Sequence, residues 1–213
     1  MSSRYKVKIC GITNAEDAAA AVAAGADALG FIFHRKSPRY VEPAFAKQII
    51  ASLPPFVVPV GVFVNEEAAT VRTIMDSCGL ALAQLHGDET AAYCRDLARP
   101  LMKALRLKDR GSFLALAEFQ GRAGARGFVV DTFSEKAYGG TGAVADWGLA
   151  AEAARSATIL LAGGLTPENV KEAIKTVRPY GVDVRSGVES SPGKKDHGKI
   201  RAFLDAVRVV SST

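Results

Sequence analysis

The chain has 213 residues, of which 48% are hydrophobic and 23% are charged, and this balance excludes an intrinsically disordered chain. No run of about 18 apolar residues occurs, so a membrane-spanning helix is not expected. The net charge of +5 comes from 27 interspersed cations and 22 anions, which is not the block pattern of a nucleic-acid-binding protein, although a modest positive field suits a small anionic substrate.

Cysteine usage and the N-terminal residues both bear on location. The three cysteines, Cys10, Cys78 and Cys94, are an odd and widely spaced set, which favours a reducing compartment over a disulfide framework. The first eight residues contain no apolar core of the kind found in secretory signals. We therefore expect a cytoplasmic protein.

Short apolar or β-branched runs alternate with alanine-rich amphipathic stretches along the chain. The pattern predicts eight β-strands, at residues 7–12, 28–33, 58–64, 80–85, 101–107, 127–132, 159–162 and 181–185. It predicts eight helices, near residues 15–24, 43–53, 66–77, 89–98, 112–120, 145–156, 167–177 and 197–209. Thr13 and Glu16 have the spacing of a capping box, so the first helix is expected to begin directly after the first strand.

This regular alternation predicts an α/β fold with parallel strands joined by right-handed crossovers. Eight strand-and-helix units close naturally into a (β/α)₈ TIM barrel with an outer layer of helices. Because no proline-rich or serine-rich linker interrupts the pattern, we predict a single domain over residues 1–213. The alternative is an open doubly wound sheet, which requires a reversal of strand order that a sequence does not display.

The end of the first strand carries the first candidate for chemistry, because catalytic residues of such barrels follow the carboxyl ends of the strands. Side chains alternate along a strand, so Lys8 and Cys10 share one face. The ammonium group of Lys8 would favour the thiolate form of Cys10 and make it a candidate general base or nucleophile. The alternative is a structural buried cysteine beside a snorkelling lysine.

Two aspartates end apolar strands in the second half of the chain. Asp131 closes the sixth strand, where burying a carboxylate is costly unless it is paired or used. It could supply a general acid, or it could cap the loop that follows. The same reasoning applies to Asp183 in the eighth strand, for which a structural role competes more strongly.

Glycine-containing loops follow the seventh and eighth strands, where TIM barrels commonly bind phosphate. The candidates are Gly163 and Gly164 after the seventh strand, and Ser186 and Gly187 after the eighth. Backbone amides of such loops, together with a helix N-terminus, can hold an anion, although tight turns also require glycine. The loop 138–142 after the sixth strand could close over a ligand.

Cationic and histidine residues supply further binding candidates. The segment 34–40 is basic, and Arg39 within it could hold a carboxylate bidentately, unless this is only a solvated loop. His86 shares a strand face with Gln84 and could face a ligand or lie in the core. The three histidines are scattered without metal-ligand spacing, so no metal site is expected.

Seven motifs in order point to one family. They are KICGIT at 8–13, SPRY at 37–40, QLHG at 84–87, VDT at 130–132, GTG at 140–142, LAGGL at 161–165, and GVDV at 181–184 with SGVE at 186–189. Together they closely resemble the phosphoribosylanthranilate isomerase family of tryptophan biosynthesis, from residue 6 to about 189. The resemblance implies an Amadori rearrangement of N-(5-phosphoribosyl)anthranilate to 1-(2-carboxyphenylamino)-1-deoxyribulose 5-phosphate, with no cofactor or metal.

The resemblance also implies residue roles. Asp131 is the general acid that protonates the furanose oxygen, and Cys10 is the general base that removes the C2′ proton. Arg39 faces the anthranilate carboxylate, and Asp183 lines the sugar-phosphate site. The phosphate cradle is expected from Gly163, Gly164, Ser186 and Gly187 with Gly142 nearby, and Lys8 and His86 complete the substrate-binding candidates.

One residue departs from the family pattern. Arg185 stands where the family commonly has a small residue, and it could contact the phosphate or point outward to the helix layer.

Two other functions are alternatives to this one. The first is a related or dual-substrate phosphosugar isomerase of histidine biosynthesis, against which Cys10 and the short chain argue, because that family has a longer barrel with aspartate at this position. The second is a non-catalytic barrel that binds a phosphometabolite. The expected partner is the small-molecule substrate, with no nucleic acid and no membrane, and the chain could be a monomer or a homodimer.

Overall fold

The computed structural model describes residues 4–107, 109, 111–121, 124–131 and 147–211. Eight parallel strands form a closed barrel in chain order. They are β1 Lys6–Cys10, β2 Ala28–Ile32, β3 Val58–Phe63, β4 Leu82–Leu85, β5 Leu101–Arg106, β6 Phe128–Asp131, β7 Ile159–Ala162 and β8 Gly181–Val184. Because β8 pairs with β1, with Lys8 beside Asp183, the predicted TIM barrel is confirmed and the open sheet is excluded.

A helix follows each strand in the described residues. They are α1 Ala15–Ala24, α2 Pro43–Ala51, α3 Ala68–Cys78, α4 Ala91–Leu97, α5 Ser112–Gly121, α6 Trp147–Ala154, α7 Val170–Val177 and α8 His197–Ser211. The predicted capping box is wrong by one residue, since Asn14 caps α1 by accepting from the Asp17 amide at 2.8 Å. Two predicted boundaries lie outside the described residues. They are the end of the sixth strand at Thr132 and the beginning of the sixth helix at residue 145.

The main apolar core lies between the barrel and the helices. Val7 and Ile9 of β1 belong to it, together with helix residues such as Ala21 and Phe203. The barrel interior is mixed, because two small apolar clusters there adjoin buried polar side chains. One of these clusters contains Cys10, which confirms the predicted alternation along β1. No described helix is long and apolar enough to span a membrane.

A short excursion between β8 and α8 was not predicted from the sequence. It begins with a 3₁₀ helix, Ser186–Val188, and continues as an antiparallel hairpin of β9 Glu189–Ser191 and β10 Lys194–Lys195. The hydroxyl of Thr13 donates to the Gly193 carbonyl at the hairpin turn, at 2.5 Å. The hairpin therefore lies against the loop that follows β1.

Candidate active site

A cavity of about 470 Å³ opens among the carboxyl ends of the strands. Most of the predicted site residues line it, namely Cys10, His86, Asp131, Gly163, Gly164, Asp183, Ser186 and Gly187. Gly142 lies outside the described residues. Lys8 and Arg39 are not among the residues that line it.

Cys10 ends β1 and is buried, with 5% of its surface exposed. Its surroundings depend on Gly30 of β2, the residue directly beside it in the sheet. A Cβ added to Gly30 would lie 2.8 Å from Cys10 Sγ and 3.1 Å from Lys8 Cε. Glycine at position 30 therefore leaves the space that the thiol and the lysine stem occupy side by side.

Lys8 lies in the barrel interior and donates a 2.8 Å hydrogen bond from Nζ to Asp183 Oδ2. Burial by itself lowers the pKa of Lys8, but the charge and hydrogen bond of Asp183 and the contact with Cys10 raise it above its ordinary value. The lysine is therefore charged at neutral pH. It is the counter-ion of Asp183, and its predicted role as a substrate contact stays a prediction.

Asp131 ends β6 and lies on the other side of the cavity from Cys10, because β6 is separated from β1 by two strands on one side and four on the other. It is half-buried, and its neighbour in the β5–β6 register is Arg106, which also lines the cavity. A ligand in the cavity would therefore lie between a thiol and a carboxyl group. The sequence analysis did not single out Arg106, although it alternates onto the same face of β5 as Ala104.

The loops after β7 and β8 pack directly on one another. A Cβ added to Gly187 would lie only 1.9 Å from the Leu165 carbonyl oxygen, so no other residue fits at this contact. Gly163 and Gly164 both have positive φ angles, of 91° and 64°. The two predicted glycine loops therefore form one continuous wall of the cavity.

His86 is held at the cavity by its neighbour Gln84. The amide nitrogen of Gln84 lies 2.9 Å from His86 Nδ1, and this hydrogen bond orients the imidazole ring. Burial and the charge of Lys8 lower the pKa of His86 below its ordinary value, so the ring is neutral at pH 7. The prediction that Gln84 and His86 share a face is consistent with this contact.

Arg185 and Arg39, the two arginines discussed at sequence level, have different surroundings in the structure. Arg185 is among the residues that line the cavity, with Asp183 and Ser186, and its charge helps to lower the pKa of His86. Arg39 instead donates to Glu189 from Nε at 2.8 Å and from its terminal nitrogen NH2 at 2.6 Å. Its stem lies beside Gly11, where an added Cβ would be 3.0 Å from Arg39 Cδ and 3.6 Å from Arg185 Cγ.

A larger neighbouring cavity of about 690 Å³ shares His86 and Asp131 but contains neither Cys10 nor the glycine loops. The predicted acid, base and anion wall meet only in the smaller one among the described residues. In the same part of the chain, no group of three or more histidine, cysteine, aspartate or glutamate side chains is arranged to hold a metal ion.

Comparison with known proteins agrees with this geometry. Residues 7–206 match the family model described as N-(5'phosphoribosyl)anthranilate (PRA) isomerase. The chain belongs to this family. Its N-(5'-phosphoribosyl)anthranilate isomerase relatives include a Pseudomonas fluorescens protein, 53% identical over 206 residues that span 97% of this chain and all of that protein. A Geobacter sulfurreducens relative is 51% identical over 93% of this chain and 96% of its own.

Solved structures of phosphoribosylanthranilate isomerases superpose closely on this chain. The Thermotoga maritima crystal structure has a TM-score of 0.87 at 42% identity and covers 96% of this chain and 99% of its own. Another has a TM-score of 0.85 at 41% identity, covers the same shares of the two chains, and holds reduced 1-(o-carboxyphenylamino)-1-deoxyribulose 5-phosphate. The family predicted from the sequence motifs is confirmed, and with it an isomerase of tryptophan biosynthesis.

Proposed function

We propose that this chain converts N-(5-phosphoribosyl)anthranilate to 1-(2-carboxyphenylamino)-1-deoxyribulose 5-phosphate, with Asp131 as general acid and Cys10 as general base. The observation that supports these roles is that Cys10 and Asp131 lie on different sides of one cavity. The two glycine loops form a wall of the same cavity. The ligand in the related crystal structure is a reduced form of this product, which supports the same chemistry here.

The reaction needs one proton donor and one proton acceptor on different sides of the ribose. Asp131 protonates the furanose ring oxygen, and the ring C–O bond breaks to leave a protonated Schiff base at C1′. The thiolate of Cys10 then removes the C2′ proton, and the electron pair of that bond forms the C1′–C2′ double bond of an enolamine. Proton transfer from the C2′ hydroxyl and to C1′ gives the ketone, so the atoms balance without any co-reactant.

Anchoring at both ends of the substrate fixes the ribose between the acid and the base. The phosphate binds at the wall formed by Gly163, Gly164, Ser186 and Gly187, and Arg185 adds a positive charge beside it. The anthranilate carboxylate binds Arg39. Binding at two points holds the ribose in the orientation that reacts with the acid and the base, and such orientation is a major source of rate acceleration in enzymes.

Turnover of freshly formed N-(5-phosphoribosyl)anthranilate tests this function, followed as the loss of anthranilate-adduct fluorescence. We expect the wild-type protein to convert the substrate without added metal or cofactor. Cys10→Ala and Asp131→Asn should each lower kcat by about 10²- to 10⁴-fold while remaining folded. Cys94→Ala is the matched control, because this buried cysteine of α4 is remote from the cavity.

The non-catalytic barrel is an outcome of the same assay. A protein that binds the substrate without converting it supports the binding barrel. Parental activity in both Cys10→Ala and Asp131→Asn contradicts the acid and base roles.

We also propose a cytoplasmic protein and a self-associating one. Of monomer and homodimer, the homodimer is supported by the Thermotoga maritima relative, which is described as a dimeric enzyme from which monomers were generated. Sedimentation velocity at micromolar concentration measures this directly, and a single species of about 22 kDa would contradict the dimer.

A further inference from the structure

A buried cluster of charges lies behind Cys10, and the acid–base steps do not use it. It consists of Arg39, Glu189 and Lys195, whose side chains are 13%, 4% and 0% exposed. One carboxylate thus lies between two cations in a nearly dry environment. Burying charges is costly, and a buried ion pair is by itself weak evidence of a stabilising role. The contacts that the cluster makes with the rest of the site therefore indicate what it does.

Lys195 uses all three of its N–H groups at the end of the barrel. Its Nζ donates to the Cys10 carbonyl at 2.6 Å, to the Arg185 carbonyl at 3.1 Å and to Glu189 Oε1 at 3.0 Å. The ladder between β1 and β8 ends one residue earlier, where Ile9 pairs with Val184. Lys195 therefore joins the two strands where their register ends, at the residue that carries the thiol.

Glu189 determines which edge of the Arg39 guanidinium remains available. Its carboxylate accepts from Nε and from the terminal nitrogen NH2 of Arg39. A guanidinium has five N–H groups, and one N–H of NH1 together with the second N–H of NH2 forms a fork on another edge. That fork matches a second carboxylate, and its direction is set by Glu189.

The hairpin is itself anchored to the outer helices on both strands. The backbone amide of Lys195 donates to the buried carboxylate of Asp17 at 2.8 Å. The carbonyl of Glu189 accepts from Lys199 Nζ of α8 at 3.1 Å. The β9–β10 hairpin thus carries two charged side chains on a fixed base, each aimed at a different part of the site.

We propose that Lys195 and Glu189 are positioning residues of the isomerase: Lys195 holds the backbone of the base Cys10, and Glu189 aims Arg39 at the substrate carboxylate. The proposal rests on the proposed roles of Cys10 and Arg39. It assigns the two residues separable effects, one on the chemical step and one on recognition of the carboxylate. A merely structural cluster would affect stability and leave both kinetic constants of the folded enzyme unchanged.

The first test compares Lys195→Met with Lys194→Met. Lys194 is the exposed neighbour on the same strand, so the control removes the same charge from the same hairpin. We expect Lys195→Met to lower kcat by about 10- to 100-fold with little change in KM, because a displaced base reacts slowly. Lys194→Met should leave both constants unchanged.

The second test uses a substrate that lacks only the carboxylate, N-(5-phosphoribosyl)aniline. We expect Glu189→Gln to raise KM for N-(5-phosphoribosyl)anthranilate by about 10-fold and to leave KM for the aniline compound unchanged. Glu172→Gln, at an exposed site on α7, is the control with the same change in charge. An equal effect of Glu189→Gln on the two substrates overturns the assigned role of Glu189.

The wild-type protein separates the two levels of inference, since it must convert N-(5-phosphoribosyl)anthranilate for the proposed function to hold. Circular dichroism and thermal unfolding establish that each variant is folded. If Lys195→Met does not fold, Lys195→Arg replaces it, because arginine retains the charge but changes the geometry at both carbonyls and should lower kcat in the same way. Parental kcat in a folded Lys195 variant overturns the role of Lys195.

Discussion

Replacing Lys8 by methionine should strongly destabilise the barrel. Lys8 and Asp183 are 1% and 7% exposed, their charged atoms are 2.8 Å apart, and no described residue binds Asp183 Oδ1. Methionine fills the space of the lysine stem but leaves Asp183 as a buried carboxylate without its counter-ion. Removing one partner of a buried pair costs about 3–5 kcal/mol, so the free energy of unfolding should fall by that amount.

The same strand provides a matched control. Lys6 also forms an ion pair, with Asp27 at 3.1 Å, but this side chain is 45% exposed and its partner 20%. Exposed pairs contribute about 0–1 kcal/mol, so Lys6→Met should lower the free energy of unfolding by no more than that. Urea denaturation followed by circular dichroism at pH 7 measures both values under identical conditions.

A double variant and the pH dependence complete this test. Adding Asp183→Asn to Lys8→Met removes the unpaired charge and should restore part of the lost stability. Because the pKa of Lys8 is raised in the folded state, its contribution is fully present below the ordinary value of 10.5 and is lost as pH rises through the folded value. The contribution of the Lys8 charge to the free energy of unfolding should thus be constant from neutral pH to about 10. Equal costs for Lys8→Met and Lys6→Met would refute the reasoning.

Three further outcomes are expected. Gly187→Ala should raise KM by at least about 10-fold in the fluorescence assay, because its Cβ cannot fit 1.9 Å from the Leu165 carbonyl and the two loops must separate; an unchanged KM contradicts the phosphate wall. Arg185→Ala should raise KM by about 3- to 10-fold at low salt and by less at high salt, and an effect independent of salt contradicts a charge contact. Burial alone raises the pKa of Glu189, but the hydrogen bond from Arg39 and the charge of Lys195 bring it below its ordinary value of 4.5. The stability from Glu189 is therefore present above pH 4.5 and lost as pH falls through the folded pKa, so the acid-induced loss of stability below that pH should be shallower in Glu189→Gln than in wild type.

The sequence predicted those site residues that lie at the ends of the barrel strands. Alternation placed Lys8 and Cys10 on one face, and the order of the elements placed Asp131 and the glycine loops at the same end of the barrel. The partner of Lys8 was not predictable, because Asp183 is 175 residues away and becomes its neighbour only when β8 closes on β1. Arg39 was predicted as a carboxylate ligand, but its contact with Glu189 depends on the docking of the β9–β10 hairpin.

The β9–β10 hairpin shows where local pattern fails. Its strands are three and two residues long and consist of glutamate, serine and lysine, so they have neither the length nor the apolar alternation that marks a strand. Lys194 and Lys195 are adjacent residues of the same type, yet Lys194 is exposed and Lys195 is buried. Only the packing of the hairpin against β1 determines which of the two holds the Cys10 carbonyl.

The amino-acid sequence by itself determined the alternation of strands and helices, the barrel that eight such units form, and the residues at the strand ends, because these follow from local periodicity and chain order. The tertiary structure alone decided which charges meet. Closure of the barrel pairs Lys8 with Asp183, and docking of the hairpin brings Glu189 to Arg39 and Lys195 to Cys10. The physical reason is that an ion pair depends on distance in space and burial, and neither is a property of neighbouring residues in the chain.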